Sequence, residues 1–260
     1  MRMVSLASNS KGNCTYLETN ESKILIDIGI PLVSVENALA ILNINPAEIT
    51  AIVVSHEHND HIKGIPAFSN KYKTPIYAYT RLINTLSKKF NGASRFLQPF
   101  ESQPFFINDL QIIPVQVPHD SESCHGFVFS DNNTRSAIIS DCGQMNERIF
   151  NTIKGCPIVF LESNFDDELL FKSMYPSTLK RRIKGNNGHL SNIDCAKTIE
   201  KLASTGTKQI VLIHLSENSN SPLIAYSTCK SYLLEKGIIE GTHIKIDVAK
   251  YIGPSTVFKF

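Results

Sequence analysis

The chain has 260 residues, of which 42% are hydrophobic and 19% are charged. A formal net charge of +2 at pH 7 is too small to identify a polyanionic partner by itself. No apolar run approaches the roughly 18 residues that cross a bilayer, and the first residues lack the apolar core and cleavage site of a signal peptide. We therefore expect one domain spanning residues 1–260 of a soluble, cytoplasmic protein with no membrane partner.

The cysteines indicate the same compartment. All six are scattered along the chain and none forms a C-x-x-C pair. In a chain of this length, that pattern favours reduced thiols in a cytosol over a disulfide framework. Cys142 is predicted to be a buried small residue, although a soft metal ligand is the alternative.

Hydrophobic periodicity predicts short strands first and then alternating helices and strands. In chain order, strands are predicted at residues 3–7, 14–18, 23–27, 51–54, 75–78, 105–107, 111–117, 126–130, 136–140, 158–161 and 209–213, with short strands at the end of the chain. Helices are predicted at residues 35–42, after 61, around 81–90, at 146–154, within 166–183, at 192–202 and at 223–236. This order predicts an α+β fold in which sheet packs on sheet with helices outside.

Residues 55–61 read Ser-His-Glu-His-Asn-Asp-His and directly follow the predicted strand at 51–54. Side chains alternate along an extended chain, so His56 and His58 should point to the same side. Asp60 and His61 follow where the chain would turn into a helix, and they can face a second position. Imidazoles and carboxylates are ligands for zinc and related divalent metals, so this loop predicts ligands for two ions.

Four further polar residues each come immediately after an apolar strand. Strand ends are rigid mounts that hold a site's geometry well. Taken singly, such a residue is more often a capping or surface group; together with the loop, the four predict one clustered site. These residues are His119, Asp141, Glu162 and His214.

The order and approximate spacing of these residues resemble the metal ligands of metallo-β-lactamase-fold hydrolases. The resemblance covers essentially the whole chain and is greatest to the YycJ-like branch, also called WalJ or VicX. Residues 5–13, Ser-Leu-Ala-Ser-Asn-Ser-Lys-Gly-Asn, are similar to the start of that branch, with Asn9 where glycine is more usual. Further branch-like stretches are residues 162–164, 179–183, 188–192 and 214–216.

The resemblance implies a four-layer αββα sandwich of the metallo-β-lactamase type and a metal-dependent exonuclease with a suggested role in DNA repair. It implies that Asp27 braces the metal loop. It further implies two divalent ions, zinc or manganese, about 4 Å apart or less, with a bridging hydroxide that attacks phosphorus. The ligands would be His56, His58 and His119 for one ion, Asp60, His61 and His214 for the other, and Asp141 for both.

Two residues are candidates for proton transfer beside the metals. His189, in a loop rich in glycine and asparagine, could protonate the leaving group, and Glu162 could orient it and favour its charged form. The alternative for His189 is a residue of the loop that caps the next helix. Asp60 could orient the hydroxide in addition to binding metal. His125 and His243 match no ligand position and are predicted to be structural or surface residues.

Substrate-binding residues are less strongly indicated. Lys180, Arg181 and Arg182 could contact phosphates, although a solvated face explains such a run equally well. The segment from Ser8 to Asn13 could offer backbone N–H groups to a phosphate, or it could be a tight turn, which is slightly preferred.

The sequence thus predicts a phosphodiesterase acting on nucleic acid, DNA rather than RNA, and an exonuclease. A small-molecule hydrolase of the same fold, acting on a cyclic phosphodiester, thioester or lactone, is the alternative. A non-catalytic metal-binding protein is a third class, but its expected sign, a lost ligand, is absent. The native metal, the cleavage polarity and the oligomeric state stay open.

Overall fold

Two seven-stranded mixed sheets lie face to face in the computed structural model, which describes residues 1–260. The strands, in chain order, are Arg2–Asn9 (β1), Gly12–Glu18 (β2), Lys23–Ile26 (β3), Ala51–Val53 (β4), Ile76–Tyr79 (β5), Leu97–Phe100 (β6), Phe105–Ile107 (β7), Leu110–Val117 (β8), Cys124–Ser130 (β9), Arg135–Ile139 (β10), Ile158–Glu162 (β11), Gln209–Ile213 (β12), Lys245–Val248 (β13) and Phe258–Lys259 (β14). The first sheet has the order β14-β1-β2-β3-β4-β5-β6, and the second has the order β13-β12-β11-β10-β9-β8-β7.

Nine helices cover the outer faces or connect the strands. They are Leu32–Ile41 (α1), Asn59–Ile62 (α2), Ile65–Tyr72 (α3), Ile83–Lys89 (α4), Glu147–Ile153 (α5), Asp167–Lys172 (α6), Ser177–Lys184 (α7), Asn192–Ala203 (α8) and Pro222–Glu235 (α9). None of them combines the length and the apolar character that a bilayer-crossing helix requires.

Three apolar clusters define the layers. The cluster between the sheets includes Phe127, Phe160 and Val211 and draws residues from both sheets. A second cluster packs α1, α3 and α4 on the first sheet, and a third packs α5, α8 and α9 on the second. The predicted four-layer αββα sandwich is therefore confirmed.

Parallel pairing brings the functional strand ends to one edge. β3 and β4 run parallel with Ile26 opposite Val53, and β10, β11 and β12 run parallel in the other sheet. The carboxyl ends of parallel strands lie at the same edge of a sheet, so polar residues that follow them converge.

Three of those strand ends share an uncommon backbone conformation. Asp27, Asp141 and His214 have φ values of 58°, 53° and 56°. Residues other than glycine seldom adopt this left-handed region, although Asn, Asp and His do so more often than others. Each of the three lies within two residues of the end of its strand, so this conformation occurs where the functional side chains are placed.

The element predictions differ from the structure in three places. The helix expected after residue 61 is two helices, α2 and α3, and α2 already contains Asp60 and His61. β6 was not predicted because Leu97-Gln98-Pro99-Phe100 contains a proline; it lies at a sheet edge, where proline is tolerated. The single helix expected within residues 166–183 is two helices, α6 and α7, which a break ending at Pro176 separates.

Candidate metal centre

Three histidines form the first donor group. His56 and His58 lie in the loop after β4, and His119 lies in the loop after β8. Ligand atoms of His56, His58 and His119 all lie within 4.8 Å of one another. His58 Nδ1 is 3.3 Å from His119 Nε2, and the His56 ring lies 4.5 Å from the His58 ring, centroid to centroid. The predicted grouping of these residues is therefore present in the structure.

The second donor group combines one carboxylate and two histidines. Asp60 Oδ2 lies 3.4 Å from His61 Nε2 and 3.6 Å from His214 Nε2. Asp141 lies between the two groups, with its Oδ2 3.2 Å from His61 Nε2 and its Oδ1 3.7 Å from His119 Nε2. This is the position that a bridging carboxylate requires.

The far side of each buried imidazole is held by a partner outside the cluster. His61 Nδ1 lies 2.7 Å from Asp27 Oδ2, His214 Nδ1 lies 2.8 Å from Glu162 Oε1, and His119 Nδ1 lies 3.1 Å from the Gly188 carbonyl. His56 Nδ1 lies 2.9 Å from the Ser55 hydroxyl. Such contacts orient metal-binding histidines and leave the Nε2 lone pair directed at the ion.

Two buried ring nitrogens without hydrogen-bond partners indicate whether this set of residues fits a metal. His56 Nε2 and His214 Nε2 are buried and have no hydrogen-bond partner. A buried polar atom without a partner is costly, and it is rare in folded proteins. Both atoms belong to the clustered groups, so the residues fit bound divalent ions.

The pKa values of the histidines differ between the two donor groups. Burial and the neighbouring His61 hold the pKa of His56 well below its usual value. Burial opposes protonation of His214 as well, but Asp141, Asp60 and Glu162 outweigh it and raise the pKa of His214 to about 10. The pKa of His61 is raised well above its usual value in the same way, because Asp141, Asp60 and Asp27 outweigh burial. His56 thus offers a neutral imidazole, whereas ions in the second group must displace protons from His61 and His214.

Loading the protein with zinc or manganese near neutral pH is expected to release protons. The folded-state pKa of His214 is raised, so its imidazole is charged below pH about 10 and must become neutral to donate Nε2. Affinity should therefore fall as the pH falls, by up to roughly tenfold per pH unit for each proton displaced. Calorimetric titration in two buffers with different ionisation enthalpies counts the protons, with His243→Ala as control; release of none would contradict this charge pattern.

Glu162 contacts two histidines at once. It is fully buried, and its Oε1 lies 2.8 Å from both His189 Nδ1 and His214 Nδ1. Its Oε2 accepts hydrogen bonds from the backbone N–H groups of Cys142 and Leu190. Burial raises its pKa, but His189 and His214 outweigh burial and lower it, so the carboxylate stays charged.

His189 lies beside the donor groups, as the sequence suggested. Its ring is 5.1 Å from that of His119 and 5.3 Å from that of His214, centroid to centroid. The one hydrogen bond of its ring joins Nδ1 to Glu162, so Nε2 has no protein partner. The loop approaches α7 so closely that a Cβ on Gly188 would lie 2.2 Å from the Ile183 carbonyl oxygen, which explains glycine there.

The segment from Ser8 to Asn13, which was predicted to bind substrate, contains a turn and two residues that contact the donor groups. Ser10 and Lys11 form a tight turn between β1 and β2, the preferred alternative. The Ser8 hydroxyl accepts a hydrogen bond from the His214 backbone N–H at 2.7 Å, so it supports a candidate ligand. Asn13 Nδ2 lies 3.5 Å from Asp60 Oδ2 and 3.1 Å from His61 Nε2, within the cluster.

The basic run is split across α7. Arg182 forms an ion pair with Asp120, the residue next to His119. Lys180 Nζ donates to the Phe171 carbonyl oxygen at 2.6 Å on another side of the helix, and Arg181 has no ion-pair partner. The three residues therefore do not share one face.

Several supporting residues were not predicted from the sequence. Ser55 binds the Asp27 carboxylate through both its N–H, at 2.8 Å, and its hydroxyl, at 2.7 Å. Asn164 Nδ2 donates to the His214 carbonyl oxygen at 2.8 Å. A signal existed, because Ser55 adjoins the histidine loop and Asn164 belongs to the branch-like stretch at 162–164. The predicted bracing by Asp27 agrees with these contacts. His125 is buried in β9 against Tyr79 and Phe100, away from the cluster.

The fold and the clustered donors together define a metal-dependent hydrolase of the metallo-β-lactamase type. Residues 22–215 of the chain match the protein family described as "Beta-lactamase superfamily domain". The chain is 33% identical to the exodeoxyribonuclease YycJ of Bacillus anthracis over 93% of this chain and 92% of that protein. It is 30% identical to the exodeoxyribonuclease WalJ of Streptococcus pneumoniae over 93% of this chain and 91% of that protein.

Among solved structures, the metallo-β-lactamase-fold protein YhfI from Bacillus subtilis superposes with a TM-score of 0.74 at 13% identity, covering 99% of this chain and 98% of that chain. At that identity the likeness shows the fold alone. The chain belongs to the β-lactamase superfamily and is a YycJ-like member of it.

Proposed function

We propose that the chain is a dinuclear metal-dependent phosphodiesterase that degrades DNA from an end. The observation that carries the substrate class is the similarity to two proteins named exodeoxyribonucleases, which extends over more than nine-tenths of each chain. The reaction class is supported by the two donor groups, which meet at Asp141.

The donor groups suggest how two ions, zinc or manganese, would be held. His56, His58 and His119 would bind one, Asp60, His61 and His214 would bind the other, and Asp141 would contact both. The ions would supply Lewis-acid stabilisation of the phosphoryl oxygens and a water molecule acidified enough to act as nucleophile. Asp60 is partly exposed, with 25% of its side chain accessible, so it can also accept a hydrogen bond from the nucleophile and orient it.

His189 and Glu162 would serve the leaving group. Phosphodiester cleavage leaves an alkoxide on the departing nucleotide, and a positioned acid lowers the barrier by protonating it. Glu162 fixes the His189 ring through Nδ1 at 2.8 Å, which leaves Nε2 available to hold and donate the proton.

Substrate contacts are proposed for the polar residues around the cluster. Asn13 lies where its amide can donate to a phosphate oxygen, and Ser8 positions His214. Lys180, Arg181 and Arg182 are proposed to contact the nucleic acid, with Arg182 restrained by Asp120. If phosphates dominate binding, affinity should fall steeply with salt as counterions are released.

The proposal is tested with metal-loaded protein and end-labelled DNA and RNA, single- and double-stranded, alongside a covalently closed DNA circle. We expect metal-dependent shortening of linear DNA, slower loss of RNA, and an intact circle because it offers no end. Cleavage of the circle would show that the protein is an endonuclease and would contradict the proposed exonuclease activity. Rapid hydrolysis of a cyclic phosphodiester, thioester or lactone, with no nucleic acid degraded, would favour the small-molecule alternative.

The suggested role in DNA repair is the cellular extension of this proposal. A strain that lacks the protein should then be more sensitive to DNA-damaging agents, and wild-type but not Asp60→Asn protein should restore resistance. If wild-type and Asp60→Asn protein restored resistance equally, the cellular role would not depend on hydrolysis.

A further inference from the structure

A network of buried polar side chains adjoins the Glu162–His189 pair and takes no part in the chemistry proposed above. It joins Ser163, Asn192 and Asn220, which are 0%, 1% and 6% exposed. Ser163 follows β11, Asn192 begins α8 and Asn220 precedes α9. Buried polar groups are costly unless they are hydrogen-bonded, and every side-chain nitrogen and oxygen of these three residues has a partner. The network therefore ties three elements together in one defined arrangement.

The two asparagines bond each other through their side-chain amides. Asn192 Nδ2 donates to Asn220 Oδ1 at 3.1 Å, and Asn220 Nδ2 lies 2.9 Å from Asn192 Oδ1. The Ser163 hydroxyl donates to the same Asn192 oxygen at 2.7 Å. An amide has a donor end and an acceptor end, so a reciprocal pair fixes the orientation of both side chains.

Asn220 also holds the backbone that follows Glu162. Its Nδ2 lies 2.8 Å from the Ser163 carbonyl oxygen and 3.1 Å from the Asn164 carbonyl oxygen. Both distances are those of N–H···O hydrogen bonds. Asn220 thus contacts the two residues that come directly after the carboxylate that orients His189.

The same network reaches the loop that carries His189. The Asn164 N–H donates to the Leu190 carbonyl oxygen at 2.9 Å. The chain after Glu162 therefore lies beside the chain after His189. Asn192, shortly after Leu190, carries the side-chain bonds that join these two segments to Asn220. The placement of the His189 ring relative to Glu162 depends on how firmly the two segments are held together.

We propose that Asn220 is a positioning residue for proton transfer from His189. Its amide joins the segment after Glu162 to Asn192, and this junction maintains the 2.8 Å contact between Glu162 Oε1 and His189 Nδ1. In the transfer, the Nε2–H bond of His189 breaks and an O–H bond forms on the leaving alkoxide. A displacement of about 1 Å at such a group can slow a reaction roughly 100-fold. This inference rests on the proposed nuclease function and deepens its leaving-group step.

Asn220→Ala removes the amide and tests this role in metal-loaded protein. We expect DNA cleavage at saturating substrate to slow roughly 10- to 100-fold, as when a residue that orients a functional group from outside is lost. An aryl phosphodiester with an acidic leaving group needs no proton, so its hydrolysis should stay close to the wild-type rate. Metal content should be unchanged. Equal slowing of both substrates, or loss of metal, would overturn the inference.

A double substitution separates positioning from independent action. If Asn220 acts through His189, adding Asn220→Ala to His189→Ala should slow DNA cleavage no further, because coupled residues do not have additive effects. If the two effects multiply in full, Asn220 does not act through His189 and the inference is wrong.

A milder variant covers the case in which Asn220→Ala does not fold. Ser163→Ala removes one hydrogen bond of the network and should show the same selective loss to a smaller extent. Ser22→Ala is the matched control, since Ser22 is 1% exposed and its hydroxyl donates to the Ile107 carbonyl oxygen at 2.8 Å. Ser22 precedes β3, at the opposite end of that strand from Asp27. An equal selective loss in Ser22→Ala, or none in Ser163→Ala, would overturn the inference.

Proton NMR of zinc-loaded protein gives a readout that does not require catalysis. The His189 Nδ1–H bonded to Glu162 should give a downfield resonance, identified by its loss in His189→Gln. Asn220→Ala should shift or broaden this resonance, and Ser22→Ala should leave it unchanged. An unchanged resonance in Asn220→Ala would overturn the inference, while nuclease activity of the wild type would still support the proposed function. A shifted resonance in a protein that degrades no DNA would support the positioning role and contradict that function.

Discussion

Replacing Asp60 by asparagine is expected to reduce hydrolysis of DNA by at least roughly 10²–10³-fold, the loss seen when one charged or hydrogen-bonding group that acts on the reacting atoms is removed. Asp60 lies within 3.6 Å of both His61 Nε2 and His214 Nε2. Burial raises the pKa of Asp60, but His61 and His214 outweigh burial and lower it, so the side chain is a carboxylate at neutral pH. Asparagine keeps the shape and removes that charge.

The fold should survive this change, because Asp60 is partly exposed and lies in the first turn of a short helix instead of in the core. Metal content, measured on the purified variant, separates two roles. Loss of one ion per chain with loss of turnover would identify Asp60 as a ligand, and full metal content with loss of turnover would identify it as the group that orients the nucleophile. Asp247→Asn, on the β13 edge strand, is the matched control. Wild-type turnover of Asp60→Asn would contradict both roles.

Replacing His189 by alanine is expected to slow DNA cleavage roughly 10²–10⁴-fold, the usual contribution of a positioned acid. Metal content should be unchanged, because His189 Nδ1 already bonds to Glu162, although a ligand atom of His189 also lies within 4.8 Å of those of Asp141, Glu162 and His214. The effect should be smaller for a substrate whose leaving group needs no proton. A nitrophenyl phosphodiester, with its acidic leaving group, should therefore be hydrolysed by His189→Ala at close to the wild-type rate.

Two further variants make this result specific. His243→Ala removes an exposed histidine near the start of β11 and β12, away from the strand ends that carry the donor groups. It should leave the hydrolysis of both substrates unchanged. Glu162→Gln keeps the size of the side chain but removes the charge that holds His189 and His214, so it should slow DNA cleavage and shift the pH profile. If His189→Ala slows both substrates equally, His189 does not act as the acid; if it loses metal, it is a ligand.

The histidine loop illustrates what can be predicted from local sequence. Residues 55–61 follow an apolar run, and alternation along a strand end is enough to place His56 and His58 on one side. The same reasoning identified His119, Asp141, Glu162 and His214, because each comes at or just after the end of an apolar strand. Since the strands are buried and parallel, their ends had to meet once the two sheets were formed.

The substrate-binding run shows the limit of that reasoning. Lys180, Arg181 and Arg182 are adjacent in sequence, but consecutive residues of a helix point in directions about 100° apart. The contact between Arg182 and Asp120 spans 62 residues, and no spacing rule predicts it.

The sequence by itself determined which residue types could bind metal, because that depends on side-chain chemistry. It also predicted sheet packed on sheet with helices outside, because that depends on periodicity and on the order of apolar runs. Only the tertiary structure decided which side chain contacts which. Glu162 bonds His189 and His214, which lie 27 and 52 residues further along the chain, and Asp27 bonds His61 across 34 residues. Those choices follow from strand register and from the left-handed turns at Asp27, Asp141 and His214, because a hydrogen bond forms over about 3 Å and is set by position in space.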